Sequence, residues 1–191
     1  MAFPAGKERY TFADVLTWDE GERIELIDGE AFMMDPPSRI HQKISFAIGR
    51  QIGNYLEGKK CEVYLAPFGV RLFEKDGDAP EDVDTMVEPD ISVVCDQNKF
   101  DKLGCKGAPD MVIEILSPSS LRHDRLVKLG LYQRAGVREC WIVDPKNKAV
   151  QVFLRDGSGS LKIHEEYGPH DVAKVNVLDG CFVEMEKVFT E

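Results

Sequence analysis

The stretch "GAPDMVIEILSPSS", residues 107–120, is the segment from which the fold is predicted. Its apolar run at 111–116 predicts a buried strand, yet Glu114 lies in the middle of the run and Asp110 at its start. Because side chains alternate along a strand, Asp110, Glu114 and Leu116 share one face. Burial of an ionised carboxylate is costly unless it is paired or binds a metal. Glu114 could therefore be paired with a core Arg or Lys, lie at the rim of an edge strand, or bind a metal.

Composition limits the class of protein. The 191 residues are 43% hydrophobic, which predicts a single domain over residues 1–191. The net charge of -10 argues against a protein that coats nucleic acid or anionic membranes by charge alone, though not against a local basic groove. The five cysteines are widely spaced, so we expect reduced, mostly buried thiols. No apolar run approaches the roughly 18 residues of a membrane span, and we expect a soluble, cytoplasmic protein.

The flanking sequence predicts an α/β fold with a mixed central β-sheet flanked by helices. Thr11 is expected to cap a short helix, and Asp28-Gly29 is typical of the turn of an N-terminal β-hairpin. A long amphipathic helix is predicted over residues 38–57, with apolar residues four apart starting at Ile40. Residues 97–109 are expected to form a loop. A hairpin is predicted over 139–154, and the tail adds a C-terminal β-hairpin extension.

A second helix is predicted from Ser119 or Ser120 to Ala135, where Gly136 ends it. Lys128 lies on its apolar face together with Asp124 and Tyr132. From Glu114 the strand advances about 10 Å to Ser117, and the helix returns about 13 Å, so Lys128 should come back to the level of Glu114. The alternative is an ordinary Asp124–Lys128 surface pair, worth a few tenths of a kcal/mol.

Asp90 lies 24 residues before Glu114, at the head of another predicted strand. Together Asp90 and Glu114 could hold Mg²⁺ or Mn²⁺ through oxygen ligands, with the backbone carbonyl of Ile115 as a third ligand. Such an ion would lower the pKa of a bound water and neutralise charge on a phosphate, while Lys128 orients or deprotonates the water or stabilises the transition state.

Glu25 on the first strand and His41 on the long helix could also reach this site. For His41, a partly buried structural imidazole is an equally good interpretation. Asp110 is about 13 Å from Glu114 along the strand, too far to share an ion, and we expect it in solvent.

Pro89-Asp90 followed by "VIEILSPSS" resembles the PD-(D/E)XK superfamily of restriction endonuclease-like proteins. The chain as a whole resembles the Uma-type family within that superfamily. The matching landmarks are "IELIDGE" (24–30), His41, "EPDISVV" (88–94), "IEILSPSS" (113–120), Asp124, Lys128, Tyr132 and "AGVRECWIVDP" (135–145). This resemblance implies a restriction endonuclease-like core, a divalent metal and DNA as substrate.

One position departs from the wider superfamily. Its Glu-x-Lys element would put a lysine at position 116, where this chain has Leu116. Either the site is inactive, or Lys128 on the helix takes the place of that lysine, as the Uma-type pattern favours. Lys128 and Tyr132 also resemble a helix motif that follows the catalytic strand in some recombination-type nucleases.

Three functions remain open from sequence. The first is a metal-dependent endonuclease that hydrolyses DNA phosphodiesters with a metal-activated water, and a homodimer would let it cut both strands. The second is a catalytically inactive nuclease-fold module that binds DNA or protein, which the net charge of -10 favours. The third is a metal-dependent hydrolase of a small phosphate ester. Five cations could line a groove for DNA: Lys43, Arg50, Lys59, Lys60 and Arg71.

Overall fold

The protein was analysed as a computed structural model, which describes residues 7–18, 23–117 and 127–190. The helices are α1 (Phe12–Val15), α2 (Arg39–Leu56) and α3 (Leu129–Ala135). The strands are β1 (Ile24–Ile27), β2 (Glu30–Met33), β3 (Glu62–Leu65), β4 (Val70–Arg71), β5 (Ile91–Val94), β6 (Phe100–Asp101), β7 (Gly104–Lys106), β8 (Met111–Ile115), β9 (Glu139–Asp144), β10 (Ala149–Arg155), β11 (Leu161–Tyr167), β12 (Val172–Val175) and β13 (Cys181–Glu184). Short 3-10 turns cover Pro80–Asp82, Gln97–Lys99 and Met185–Lys187.

A six-stranded sheet forms the centre of the fold, in the order β11-β10-β9-β8-β5-β3. Strands β8 and β9 are parallel, and the other neighbouring pairs are antiparallel. A parallel pair needs a long crossover, and the connection from β8 to β9 contains α3. The sheet is therefore mixed, as predicted. Because α2 packs on one face of the sheet and α3 on the other, both faces of β8 are covered, which explains its almost continuous apolar sequence.

The two faces of β8 belong to separate cores. Met111, Ile113 and Ile115 pack with α2 and the β12–β13 hairpin on one face. Val112 and Leu116 pack with α3 and β1 on the other face. The predicted alternation along this strand is confirmed, and it assigns Glu114 to the α3 side of the sheet.

Local sequence signals set the ends of several elements. In the β1–β2 turn, Asp28 and Gly29 have φ values of 48° and 81°, as the Asp-Gly signal predicts. Helix α2 begins after Ser38, whose side chain accepts a hydrogen bond from the His41 N–H. Helix α3 ends at Gly136, which has a φ of 93°. The predicted hairpins β1–β2, β9–β10 and β12–β13 all form.

Four predictions about the fold need comment. Residues 97–109 are more than a loop, because β6 pairs with β7 and β7 pairs with β4. Ile40 is 53% exposed, since a residue in the first turn of a helix can keep the apolar period and still lie outside the core. The predicted start of the second helix lies outside the described residues. None of the described helices is long and apolar enough to cross a membrane.

The thiol prediction is wrong for two cysteines. Cys61 and Cys95 form a disulfide, whereas Cys105, Cys140 and Cys181 are free and buried. The register of the antiparallel β3–β5 pair gives the reason, because Glu62 opposes Val94 and the two cysteines follow as the next opposing pair. Their proximity depends on a strand order that could not be read from sequence.

Candidate functional site

Asp90 and Glu114 meet across two neighbouring strands. In the β5–β8 ladder Ile91 opposes Ile113, so that Asp90, one residue before β5, comes opposite Glu114. Opposing residues of an antiparallel pair have Cβ atoms about 4.5–5.5 Å apart. Asp90 is 8% exposed and Glu114 is 2% exposed. The structure therefore brings together the two carboxylates that sequence analysis proposed as partners.

Lys128 returns to Glu114, as the lengths of strand and helix predict. It directly precedes α3, and its Nζ lies 3.2 Å from Glu114 Oε1 and 2.8 Å from Glu25 Oε1. The side chain is 2% exposed, so Lys128 is not part of a surface pair. Asp124, the partner in that alternative, lies outside the described residues. The ammonium of Lys128 compensates the burial of Glu114, as the alternative of a core lysine partner requires.

Tyr132 is a further member of this group. It follows Lys128 by one turn, is fully buried, and its hydroxyl donates a hydrogen bond to Glu114 Oε1. Burial, and then the nearby Glu114 and Glu25 carboxylates, raise the pKa of Tyr132 well above its ordinary value. The phenol therefore remains a hydrogen-bond donor. Sequence analysis placed Tyr132 on the correct face of the helix but did not name it as a site residue, and its four-residue spacing from Lys128 was the signal.

The Asp90 carboxylate is held by the His41 side chain and the Ile115 backbone N–H. Asp90 Oδ2 accepts a hydrogen bond from the Ile115 N–H at 2.7 Å and lies 3.0 Å from His41 Nε2. The described part of the chain gives no hydrogen bond to Asp90 Oδ1. His41 Nδ1 is buried and has no hydrogen-bond partner among the described residues. Helix α2 thus contributes to the site through its first turn, although its body packs on the other face of the sheet.

Glu25 is the second carboxylate that pairs with Lys128. It lies on β1 and is 2% exposed, and its Oε1 also accepts a hydrogen bond from the Glu88 N–H at 2.9 Å. The Glu88 carboxylate is in turn paired with Arg23, whose Nη2 lies 2.9 Å from Glu88 Oε2. The prediction that Glu25 could reach the site agrees with this position, whereas Arg23 and Glu88 were not predicted as neighbours.

The charges of this group fit a cation of the Mg²⁺ type. Asp90, Glu114 and Glu25 carry three carboxylates, and Lys128 supplies one ammonium. Carboxylate oxygens are the ligands that Mg²⁺ and Mn²⁺ prefer. In the described ranges no three or more His, Cys, Asp or Glu side chains form a group that could hold a metal by themselves. Mg²⁺ retains several waters, so two carboxylates and a backbone carbonyl would be a sufficient protein contribution.

Two other charged residues lie apart from this group. Asp110 is half-buried rather than in solvent, because its Oδ2 accepts the Cys95 N–H at 2.8 Å and its Oδ1 is 3.0 Å from Arg138 Nη1. Arg71 is 1% exposed and pairs with Asp101 at 2.5 Å and with Glu74. The suggestion that Arg71 lines a groove for DNA is therefore wrong, since its guanidinium is enclosed and already neutralised.

Comparison with known proteins places this geometry in a family. The model of the Uma2 family, described as "Putative restriction endonuclease", matches residues 12–186. An uncharacterized protein of Synechocystis, slr1290, is 29% identical over 153 residues, which cover 78% of this chain and 76% of that protein. A crystal structure of "a putative nuclease belonging to DUF820" from Anabaena variabilis superposes with a TM-score of 0.70 at 20% identity, covering 94% of this chain and 97% of the other. The predicted restriction endonuclease-like α/β fold is confirmed.

Proposed function

The chain belongs to the Uma2 family of restriction endonuclease-like proteins, and from this premise we propose that it is a metal-dependent endonuclease that hydrolyses phosphodiester bonds in DNA. The observation that supports the proposal best is the convergence of Lys128 on Glu114, with their polar atoms 3.2 Å apart. Leu116 occupies the place of the usual lysine, and Lys128 supplies an ammonium to the same carboxylate from the helix side. A lysine beside an acidic strand residue is the pair that a nuclease site of the PD-(D/E)XK kind needs.

Asp90 and Glu114 would hold Mg²⁺ or Mn²⁺, since they oppose each other on β5 and β8. Ile115 would add its carbonyl oxygen. The Leu116 N–H donates to Val143 on β9, whereas the Ile115 N–H points the opposite way to Asp90. In an extended strand the C=O and N–H of one residue point to the same side, which directs the Ile115 carbonyl towards Asp90. When bound, the metal would neutralise charge on the phosphate and make a water more acidic.

Lys128 would orient the attacking water or stabilise the charge that develops on the phosphate. The position of the Lys128 ammonium does not depend on Glu114 alone, because Glu25 Oε1 lies 2.8 Å from it. Tyr132 fixes Glu114 by a hydrogen bond from its protonated phenol. His41 and the Ile115 N–H fix Asp90 Oδ2 in the same manner. We assign Glu25, His41 and Tyr132 as positioning residues.

The test is cleavage of supercoiled plasmid, linear duplex and single-stranded DNA in Mg²⁺ and in Mn²⁺. Glu114→Gln and Lys128→Met should each abolish cleavage. Glu139→Gln is the matched control, because Glu139 is also a fully buried carboxylate but is bound by Trp141, Asn176 and Val177, and alternation along β9 directs it to the opposite face of the sheet. Glu139→Gln should retain cleavage once its folding has been verified. Cleavage that survives Lys128→Met would contradict the proposed role of the lysine.

The same assay separates the two other functions. A small-ester hydrolase would hydrolyse bis(p-nitrophenyl) phosphate and leave every DNA substrate intact. An inactive binding module would hydrolyse neither, while still binding DNA or a protein. If cleavage of both strands requires a homodimer, the active species should elute as a dimer, which stays a prediction.

A further inference from the structure

Helix α2 differs in charge from the rest of this acidic chain. Over its 18 residues it has no Asp or Glu, although the whole chain has 34 of them against 24 Lys and Arg. The helix contains three cations: Arg39, Lys43 and Arg50. A surface helix in an acidic protein usually carries both signs and forms i,i+4 pairs, so the absence of carboxylates on α2 indicates a surface adapted to an anion.

The cations are arranged around an exposed aromatic ring. At 100° per residue, Arg39, Phe46 and Arg50 fall within about 40° of one another, on the side of α2 opposite the buried Ile48. Phe46 is 59% exposed, and the Arg50 guanidinium lies over its ring at 5.6 Å from the centroid. We name Arg39, Phe46 and Arg50 the α2 cationic face. Lys43 lies beside it and donates a hydrogen bond to the Thr190 carbonyl at 3.0 Å.

The arginines of the α2 cationic face are not neutralised within the described part of the chain. Neither Arg39 nor Arg50 has a carboxylate partner there. Of the other exposed arginines in the described ranges, Arg9, Arg134 and Arg138 pair with Asp84, Asp28 and Asp110, whereas Arg155 donates to the Gln133 carbonyl. Two guanidiniums that have no carboxylate partner in the described ranges, beside an exposed ring, are of the kind that phosphates and bases contact in single-stranded nucleic acid.

The face also begins next to the site. Arg39 lies two residues before His41, whose Nε2 is 3.0 Å from Asp90 Oδ2. From Arg39 to Arg50 the helix axis extends about 16 Å. At 100° per residue His41 lies about 160° around α2 from Arg39, so a strand whose phosphate lies at Asp90 and Glu114 would have to pass around the N-terminal end of α2 to reach the α2 cationic face.

We propose that the α2 cationic face binds the single-stranded segment of a nucleic acid that extends from the site, with Arg39 and Arg50 on phosphates and Phe46 stacked on a base. This inference rests on the proposed nuclease function and adds the surface and the form of the substrate. Single-stranded rather than duplex nucleic acid fits because only unpaired bases offer a ring face to Phe46.

The test measures fluorescence anisotropy of a labelled single-stranded oligonucleotide and of a hairpin duplex, in EDTA so that neither is cleaved. Arg39→Gln/Arg50→Gln should bind the single strand about 10- to 25-fold more weakly at 0.1 M salt, because each lost phosphate contact flattens the plot of log K against log salt by about 0.7. Phe46→Leu keeps apolar area but removes the stacking surface, and should weaken binding about fivefold with an unchanged salt slope.

The control is Arg138→Gln/Lys162→Gln, which removes the same charge from exposed side chains away from α2. It should change affinity by less than about twofold, because these cations are already paired with carboxylates. Equal losses in the two double variants, or tighter binding of the duplex than of the single strand, would overturn the inference.

Failure of the proposed function has a different readout. Loss of binding in Arg39→Gln/Arg50→Gln with a parent protein that cleaves no DNA would support the surface and reject the nuclease. Cleavage of DNA by the parent, together with unchanged binding in Arg39→Gln/Arg50→Gln, would support the nuclease and reject the proposed role of the α2 cationic face.

Discussion

Lys128→Met tests the central contact of the site through protein stability. The ammonium lies 2.8 Å from Glu25 Oε1 and 3.2 Å from Glu114 Oε1, and all three side chains are at most 3% exposed. Methionine keeps most of the volume of lysine and removes its charge. The variant therefore leaves two buried carboxylates facing each other, with only a small contribution from a changed cavity.

Removal of one partner from a buried ion pair costs about 3–5 kcal/mol. For a chain of this size, 1 kcal/mol corresponds to about 2–4 °C, so Tm should fall by about 6–20 °C. Addition of Glu25→Gln removes one of the two remaining carboxylates. The double variant Glu25→Gln/Lys128→Met should be more stable than Lys128→Met by about 1–3 kcal/mol, because residues in contact are not additive.

The assay is urea unfolding and thermal melting in EDTA, with Lys162→Met as control. Lys162 has a side chain that is 69% exposed, and its replacement should change stability by less than about 0.5 kcal/mol. The reasoning is refuted if Lys128→Met lowers the free energy of unfolding by less than about 1 kcal/mol. It is also refuted if Glu25→Gln lowers the stability of Lys128→Met further instead of raising it. Restored stability should not restore DNA cleavage, since the proposed reaction requires the ammonium itself.

Three further outcomes are expected. Mn²⁺ should raise the Tm of the parent by several degrees, because ligands that bind only the folded state stabilise it, and Asp90→Asn should abolish this shift. The pKa of Tyr132 is raised in the folded state, so the free energy of unfolding should fall as pH rises above about 10, where only the unfolded chain loses the phenol proton. In urea unfolding at alkaline pH, Tyr132→Phe should make this decline less steep. Alkylation in denaturant should modify three thiols without reductant and five after reduction of Cys61–Cys95, and five in both cases would contradict the disulfide.

The sequence was sufficient to predict features that depend on neighbouring residues or on the known rise per residue of a strand or helix. The period of two along β8 assigned Glu114 to the face opposite Met111 and Ile113, and the structure agrees. The contact of Lys128 with Glu114 was expected from comparing the rise of a strand with the rise of a helix, and it is observed, although residues 118–126 of that return lie outside the described part of the chain. The Asp28-Gly29 turn was likewise predictable because it depends on a few adjacent residues.

Features that depend on strand order could not be predicted. Asp90 and Glu114 were proposed as partners, but their direct opposition, like that of Cys61 and Cys95, follows only because β5 lies between β3 and β8. Burial of Arg71 also depends on distant chain segments, since its partners include Asp101 from the following strand pair. A cation in a short apolar strand has the same sequence pattern whether it faces a groove or enters the core.

If the proposed function is right, the geometry explains how the site can have leucine in place of the strand lysine. The proposed reaction requires an ammonium beside Glu114. The sequence position of the lysine matters only because it determines where the lysine Nζ lies. Helix α3, in the connection from β8 to β9, packs on the same face of the sheet as Glu114, so a residue at the start of α3 has access to that position. Glu25 on β1 then holds Lys128 from outside the β8–α3 unit. The proposed function predicts that the double variant Leu116→Lys/Lys128→Met regains at least part of the cleavage lost in Lys128→Met, if an ammonium beside Glu114 is all that is required. No recovery of cleavage would show that the contact between the ammonium and Glu25 is also required.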